Sequence, residues 1–324
     1  MRDLDQAYRA ATMYYLQNQK MEVIGATLGI SRSTVSRLLT AARAAGIVEV
    51  SVTAPAQEVQ SLGHRIAATY GVRVHVVPVR RRAGELQRLD QVAVVAAHLL
   101  QQWFTDGMLM GVAWGTTISA VARHLTPRST RDTAVVQLNG AANTSTSGVT
   151  YATDLIGALA SAFDATTYYF PVPAFFDFEQ TKQLMWRERS VRKILQVHER
   201  VDLALFGVGS PEAAVPSHVY TAGYLDRTDL DQLERERVVG DVCTVLLRED
   251  GSYRDIALNA RASGPTPQEL RRIRRRVCVV VGETKVRALV GALNARVATD
   301  LVIDQTTAQA LLDYLAEPGR PGGR

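Results

Sequence analysis

Residues 107–125, GMLMGVAWGTTISAVARHL, decide the fold class. The first eight form a short apolar run of the length of a buried strand, and ISAVARHL carries apolar residues at helical spacing. Between them Gly115, Thr116 and Thr117 make a tight strand-to-helix turn. Glycine permits close backbone approach, and the free amides and two hydroxyls at a helix N-terminus suit an anion such as phosphate. The plainer reading is a connecting turn with Thr116 as the helix cap.

Working outward, the same alternation recurs. The runs 72–79 VRVHVVPV, 133–140 TAVVQLNG, 166–172 TTYYFPV, 201–209 VDLALFGVG, 276–282 RVCVVVG and 298–304 ATDLVID are short and rich in β-branched residues. Helical stretches such as 89–104, LDQVAVVAAHLLQQWF, separate them, so the spacing predicts an α/β domain with a mostly parallel sheet. At 241–258, DVCTVLLREDGSYRDIAL, the pair Asp250–Gly251 reads as the turn of an antiparallel hairpin.

In open α/β sheets ligands bind beyond the carboxyl ends of the strands, so the residues after each run are read together. They are Gly115, Thr116 and Thr117; Asn139 and Gly140; Lys285, in the turn after the run that ends at Gly282; and Asp241, placed to accept sugar hydroxyls. Each has a structural alternative: an Asn-Gly turn, a solvated lysine, a strand-edge acid.

The N-terminal segment has a different grammar. Residues 4–18, 20–28 and 31–46 read as three helices, with Gly29 as the left-handed stop, Ile30 as a plug and Ser31 as the cap of the third. On that helix Val35, Leu38, Leu39 and Ala42 share one face. Arg32, Ser33, Ser36, Arg37 and Thr40 share the other, which is polar and basic. Gly25 takes the small-residue position where two helices approach closely. This is the pattern of a helix-turn-helix, and 47–53, IVEVSVT, alternates as a wing would. The candidate DNA contacts are Ser31, Arg32, Ser33, Thr34, Ser36 and Arg37. A helical bundle docking on another protein is the competing reading.

Length and composition agree with two units. The chain has 324 residues, 47% hydrophobic and 21% charged, as in an ordinary globular protein. A net charge of +5 and a pI near 9.3 permit a nucleic-acid partner without indicating one. Cys243 and Cys278 lie far apart in apolar runs, and the six histidines show no ligand spacing, so neither a disulfide framework nor a metal site is expected. The GVGS at 207–210 lacks the remainder of a dinucleotide fingerprint, and no cofactor is expected. RRIRRR at 271–276 reads as a solvated basic face. Without a signal peptide or an apolar run of about 18 residues, a cytoplasmic protein with no membrane partner is expected. The boundaries expected are 1–54 for the winged helix-turn-helix, 55–318 for the α/β domain and 319–324 for a disordered tail.

The segments LGISRSTVSRLLTAARAAGIVEV, GVAWGTTISAVA, QLNGA, DLALFGVG, GDV, VGETK and LVIDQTTAQALL, in this order, resemble the SorC family of bacterial transcriptional regulators, often grouped with DeoR-type regulators. The likeness covers nearly the whole chain. It implies a winged helix-turn-helix before a Rossmann-like effector domain similar to glucosamine-6-phosphate deaminase and ribose-5-phosphate isomerase. It also implies homo-dimers or homo-tetramers that bind double-stranded operator DNA under control of a small sugar or sugar phosphate. By the same resemblance Gly115, Thr116 and Thr117 match a phosphate-gripping loop, Lys285 the lysine after a Gly-Gly turn, and Asp241 an acid facing the ligand. Val281 replaces the first glycine of that turn, and Thr116 stands where arginine or glycine is common. These departures leave the effector, and its phosphorylation, open. The rival functions are a sugar-phosphate isomerase or deaminase, which would need an acid/base cluster not evident here, and a regulator whose second domain only oligomerises.

Overall fold

The computed structural model describes residues 2–16, 19–48, 56–80, 83–144, 148–213 and 217–317. The chain divides into two compact units, Met1–Thr53 and Ala54–Arg324. The expected wing beyond residue 48, the Ala54–Pro55 boundary and the 319–324 tail lie outside the described residues.

The first unit is helical: α1 (Arg2–Ala11), α2 (Met21–Leu28) and α3 (Arg32–Ala44). The single helix expected over 4–18 is instead α1 followed by a π-helical stretch, Thr12–Leu16, and this wider winding accompanies Met13 and Tyr14 onto the core. Helix α2 stops because Gly29 takes φ +67°, a conformation that costs residues with a Cβ. Ser31 Oγ then accepts the Thr34 amide at 3.1 Å and starts α3. Gly25 is required by contact: a Cβ there would lie 2.8 Å from the Ile30 carbonyl oxygen. Ile24, Val35, Leu38, Leu39 and Ala42 close the core with Ala7, Ala10 and Ala11.

The second unit opens with α4 (Ala56–Tyr70), β1 (Arg73–Val77) and α5 (Glu85–Trp103). It continues through β2 (Leu109–Val112), α6 (Thr116–Arg123), β3 (Ala134–Gln137), α7 (Val149–Phe163) and β4 (Thr166–Tyr168). Next come α8 (Glu179–Met185), α9 (Arg189–His198), β5 (Leu203–Gly207), α10 (His218–Thr221) and α11 (Arg227–Arg235). The chain ends with β6 (Val238–Val242), β7 (Val245–Arg248), α12 (Pro267–Leu270), β8 (Arg275–Val280), α13 (Val286–Asn294), β9 (Asp300–Asp304) and α14 (Gln305–Ala316).

Seven strands form one sheet in the order β1-β9-β8-β5-β2-β3-β4, every pairing parallel. Both faces are covered, which is why the strands read as continuous apolar runs. On β5 the side chains alternate. Ala204 and Phe206 pack with α4, α13 and α14, while Leu203 and Leu205 pack with α5, α6 and α7.

The hairpin is displaced from the position expected. Strands β6 and β7 pair antiparallel around Cys243–Thr244, both at positive φ (52° and 68°), and Asp250–Gly251 turns the chain only after β7. Asp241 Oδ2 accepts the Thr244 amide at 3.1 Å, which supports a turn that these two residues would not ordinarily choose.

Candidate functional site

From β2 the chain proceeds outward to β3, whereas from β5 it proceeds to β8 on the other side. The order of winding reverses between β2 and β5, and a crevice is left where the adjoining loops part. A pocket lies there. It is lined at the strand ends by Trp114, Gly115, Thr116 and Thr117 after β2, Asn139 after β3, and Gly207–Gly209 at the end of β5. Val281 and Lys285 after β8, Asp241 from the hairpin and Glu85 from α5 also line it.

Thus Gly115, Thr116, Thr117, Asn139, Asp241 and Lys285 come together, although up to 170 residues separate them in the chain. Gly140 does not line the pocket. It is a packing residue behind the wall: its carbonyl accepts the Trp114 indole N–H at 2.9 Å, and a Cβ would meet the Pro173 carbonyl oxygen at 2.3 Å.

The first turn of α6 leaves the amides of Thr116, Thr117 and Ile118 without an acceptor among the described residues, as a helix start must unless something caps it. Lys285 is 8% exposed and Asp241 5%. Burial lowers the Lys285 pKa, opposed by the negative charges of Glu85 and Asp241. Burial pushes Asp241 up to about 6 against the pull of Tyr220, the Thr244 amide and Lys285. Two acceptors stay unused: Asn139 Oδ1 and Asp241 Oδ1 are buried and have no hydrogen-bond partner among the described residues. The Tyr220 hydroxyl approaches Asp241 without a bond of normal geometry. Unpaired buried acceptors beside unpaired amides are a site prepared for a ligand with both donors and acceptors.

Sequence reasoning missed Glu85, Trp114, Ser217, His218 and the Cys243–Thr244 turn, all of which line the pocket. The rule that selects strand ends reaches Trp114 but not Glu85, Ser217, His218 or the Cys243–Thr244 turn, because α5, the start of α10 and the hairpin are carried to the crevice by packing. His218 is kept toward its neutral form by burial and lies against Tyr151, with ring centroids 4.9 Å apart. Among the described residues no group of His, Cys, Asp or Glu is arranged to hold a metal ion. No helix there is long and apolar enough to cross a membrane.

The basic run at 271–276 is only partly solvated. Arg271 donates to the Ala295 carbonyl and Arg276 to those of Val297 and Ile273, and Arg275 covers the Trp103 ring at 4.3 Å. Arg271 and Arg276 thereby fasten the loop before β9.

In the first unit, Ser31, Arg32, Ser33, Ser36 and Arg37 are exposed along the start of α3, and Thr34 is half-buried. Ser31 is occupied as the cap, and Thr34 accepts from Arg37 Nη2 at 3.4 Å. Arg32 pairs with Glu22 at 3.2 Å, but both side chains are mostly exposed (70% and 60%), so the pair holds Arg32 only weakly.

Comparison with known proteins gives consistent matches. Residues 54–313 match the family described as "Putative sugar-binding domain". A deoxyribonucleoside regulator of Bacillus subtilis (strain 168) is 32% identical over 309 residues, 94% of this chain and 96% of that protein. Among solved structures, a domain of a possible sugar-binding transcriptional regulator from Arthrobacter aurescens TC1 is 48% identical, with a TM-score of 0.75. The match covers 80% of this chain and 99% of that one. The full-length sorbitol operon regulator SorC from Klebsiella pneumoniae is 25% identical, with a TM-score of 0.70 over 96% of this chain and 100% of that one.

Proposed function

The chain belongs to the SorC/DeoR-type family of transcriptional regulators with a sugar-binding domain, and from that membership we propose that it binds operator DNA through its first unit under control of a small sugar-type effector, in the first instance a sugar phosphate, held in the pocket of the second. The relatives named above are regulators rather than enzymes.

The first unit is a winged helix-turn-helix. Helix α3 enters the major groove, where Arg37 and Arg32 read base edges and Ser33, Ser36 and the N-terminal turn at Ser31–Thr34 contact phosphates or bases. The second unit is a Rossmann-like sensor of the sugar-phosphate isomerase and deaminase type. In it Gly115, Thr116 and Thr117 take an anionic group with Lys285, while Asp241 and Asn139 take hydroxyls. Homo-dimers or homo-tetramers present recognition helices to successive major grooves about one DNA turn, or multiples of a turn, apart. The observation that carries this reading is the convergence of unpaired amides, a buried ammonium and two unpaired acceptors in one pocket at the reversal of strand order.

A thermal-shift panel of sugars, polyols and their phosphates tests it, followed by gel shifts on DNA flanking the chain's own gene with and without the stabilising compound. A compound should raise the melting temperature in the parent and less in Lys285→Ala, and the same compound should alter operator affinity. Stabilisation with no change in DNA binding would defeat the regulatory half of the proposal, and equal stabilisation of parent and variant would defeat the assigned pocket.

A further inference from the structure

A second cavity lies at the other end of the seven-stranded sheet. It is lined by Tyr70 and Gly71 between α4 and β1, Arg276 at the start of β8, Asn294 and Arg296 at the end of α13, and Thr299 just before β9, among others. These are the amino ends of strands, whereas the candidate effector pocket gathers carboxyl ends. Strand β8 and helix α13 each connect the two, and the two linings share no residue. The wall of the second cavity carries two guanidinium groups and no carboxylate. The Arg296 side chain makes no hydrogen bond or ion pair among the described residues. Arg276 donates from Nε to the Val297 carbonyl and from Nη1 to that of Ile273, which leaves Nη2 without an acceptor among them.

The Tyr70 hydroxyl is buried without a hydrogen-bond partner among the described residues. Burial and the charge of Glu249 push its pKa up to about 12, so it stays a donor. The carboxylates whose charge reaches Arg276 and Tyr70 are already engaged. Asp300 accepts from Arg73 Nε and Nη2 at 2.8 and 2.7 Å, and Glu249 accepts from Arg287 Nε at 3.4 Å and from the Tyr314 hydroxyl at 2.6 Å. Arg296 also stands where glycine is the ordinary choice. It ends α13 at φ +56°, donating its amide to the Leu293 carbonyl, while the Val297 amide donates to that of Ala292. That pair of bonds is the Schellman ending, whose left-handed position glycine fills without steric cost. The dipole of α13 favours a cation at this end, but a residue in its last turn would supply one without the left-handed backbone, and that turn holds none.

We propose that this cavity is a second binding site, for a small multiply charged oxyanion held by Arg296 and Arg276. Guanidinium forks without counter-ions match the paired oxygens of phosphoryl or carboxylate groups. A wall of donors with no carboxylate gives a neutral polyol nothing to donate to and repels cations. The site is separate from the sugar-type effector pocket, and its assignment stands or falls independently of that one.

The test is isothermal titration of the full chain at constant ionic strength with pyrophosphate, citrate and inorganic phosphate. Pyrophosphate should bind the parent, and Arg296→Gly should weaken it by about tenfold or more, because a charged hydrogen-bonding partner is lost. The same loss should appear when Arg296→Gly is combined with Lys285→Ala, which separates this site from the strand-end pocket. Glycine suits the left-handed backbone, so unliganded Arg296→Gly should melt no lower than the parent. Arg296→Asn, which also tolerates that conformation, is the second variant. Equal affinity in the parent and both variants overturns the proposal, as does failure of all three anions to bind the parent. Loss of pyrophosphate binding in Lys285→Ala with none in Arg296→Gly puts the anion in the other pocket and overturns it too. If both Arg296 variants weaken binding of a random-sequence DNA duplex at fixed salt and leave the three anion titrations unchanged, the arginines serve a DNA backbone and the cavity is not a site for small anions.

Discussion

Asp241 has two duties that conflict. In the proposed site it offers a ligand an acceptor, and as a buried carboxylate it costs stability whenever it is ionised. Its pKa rises from 3.8 to about 6 on folding, so the native state holds the proton longer than the unfolded chain does. Stability therefore falls as pH climbs through that interval and is flat above it, a loss of roughly 3 kcal/mol at most. Asp241→Asn should abolish this component and leave the empty protein more stable at pH 7, with weaker ligand binding. Urea midpoints at pH 5 and pH 7 check it, and an identical pH slope in parent and variant would refute the assignment. Lys285 is the complementary case, a cation kept in a buried wall without an ion pair among the described residues. Lys285→Ala should cost effector affinity about tenfold or more, read by titration, because a hydrogen bond to a charged group contributes about 1.5–3 kcal/mol.

Single elements fail or function through one or two contacts. Helix α3 depends on the turn before it, where a Cβ on Gly25 would lie 2.8 Å from the Ile30 carbonyl oxygen. Gly25→Ala should destabilise the first unit by about 1–3 kcal/mol through overpacking, despite the better helix propensity of alanine. Loss of helical signal at lower denaturant in an isolated 1–53 fragment, or in the full chain if the fragment does not fold, measures it. Arg37 lies on the exposed face of the same helix and bears on no core contact. Arg37→Ala should leave the melting curve unchanged and weaken operator binding by about 1–3 kcal/mol in a gel shift at fixed salt. Helix α3 and the strand β2 to helix α6 turn were legible in the sequence because their information is local: a cap, a glycine and a period. The β6–β7 hairpin was not. Asp250–Gly251 is the stronger turn signal, but the turn at Cys243–Thr244 is held by the Asp241 carboxylate within tertiary packing, and a Cβ on Gly264 would lie 1.7 Å from the Cys243 carbonyl oxygen.

At the scale of the whole molecule, function requires that occupancy of a pocket in one unit change the DNA affinity of another, a coupling that is reciprocal. Operator DNA should therefore shift the effector Kd by the same factor by which effector shifts operator Kd, and unequal factors in paired titrations would exclude simple linkage. The same effector at about 100 times its Kd should stabilise the second unit by about 2.7 kcal/mol, read from the denaturation midpoint. The amino-acid sequence by itself determined that two units exist, that one is helical with a basic outer face, and that the other is a parallel sheet with its candidate site at the strand ends. Those features follow from periodicity and from the rule for open sheets. Only the tertiary structure decided that Gly140 packs behind the pocket wall while Glu85, His218 and the Cys243–Thr244 turn line it. Strand order and helix packing bring them there, and neither leaves a mark in the local pattern from which Gly115, Thr116 and Thr117 could be read.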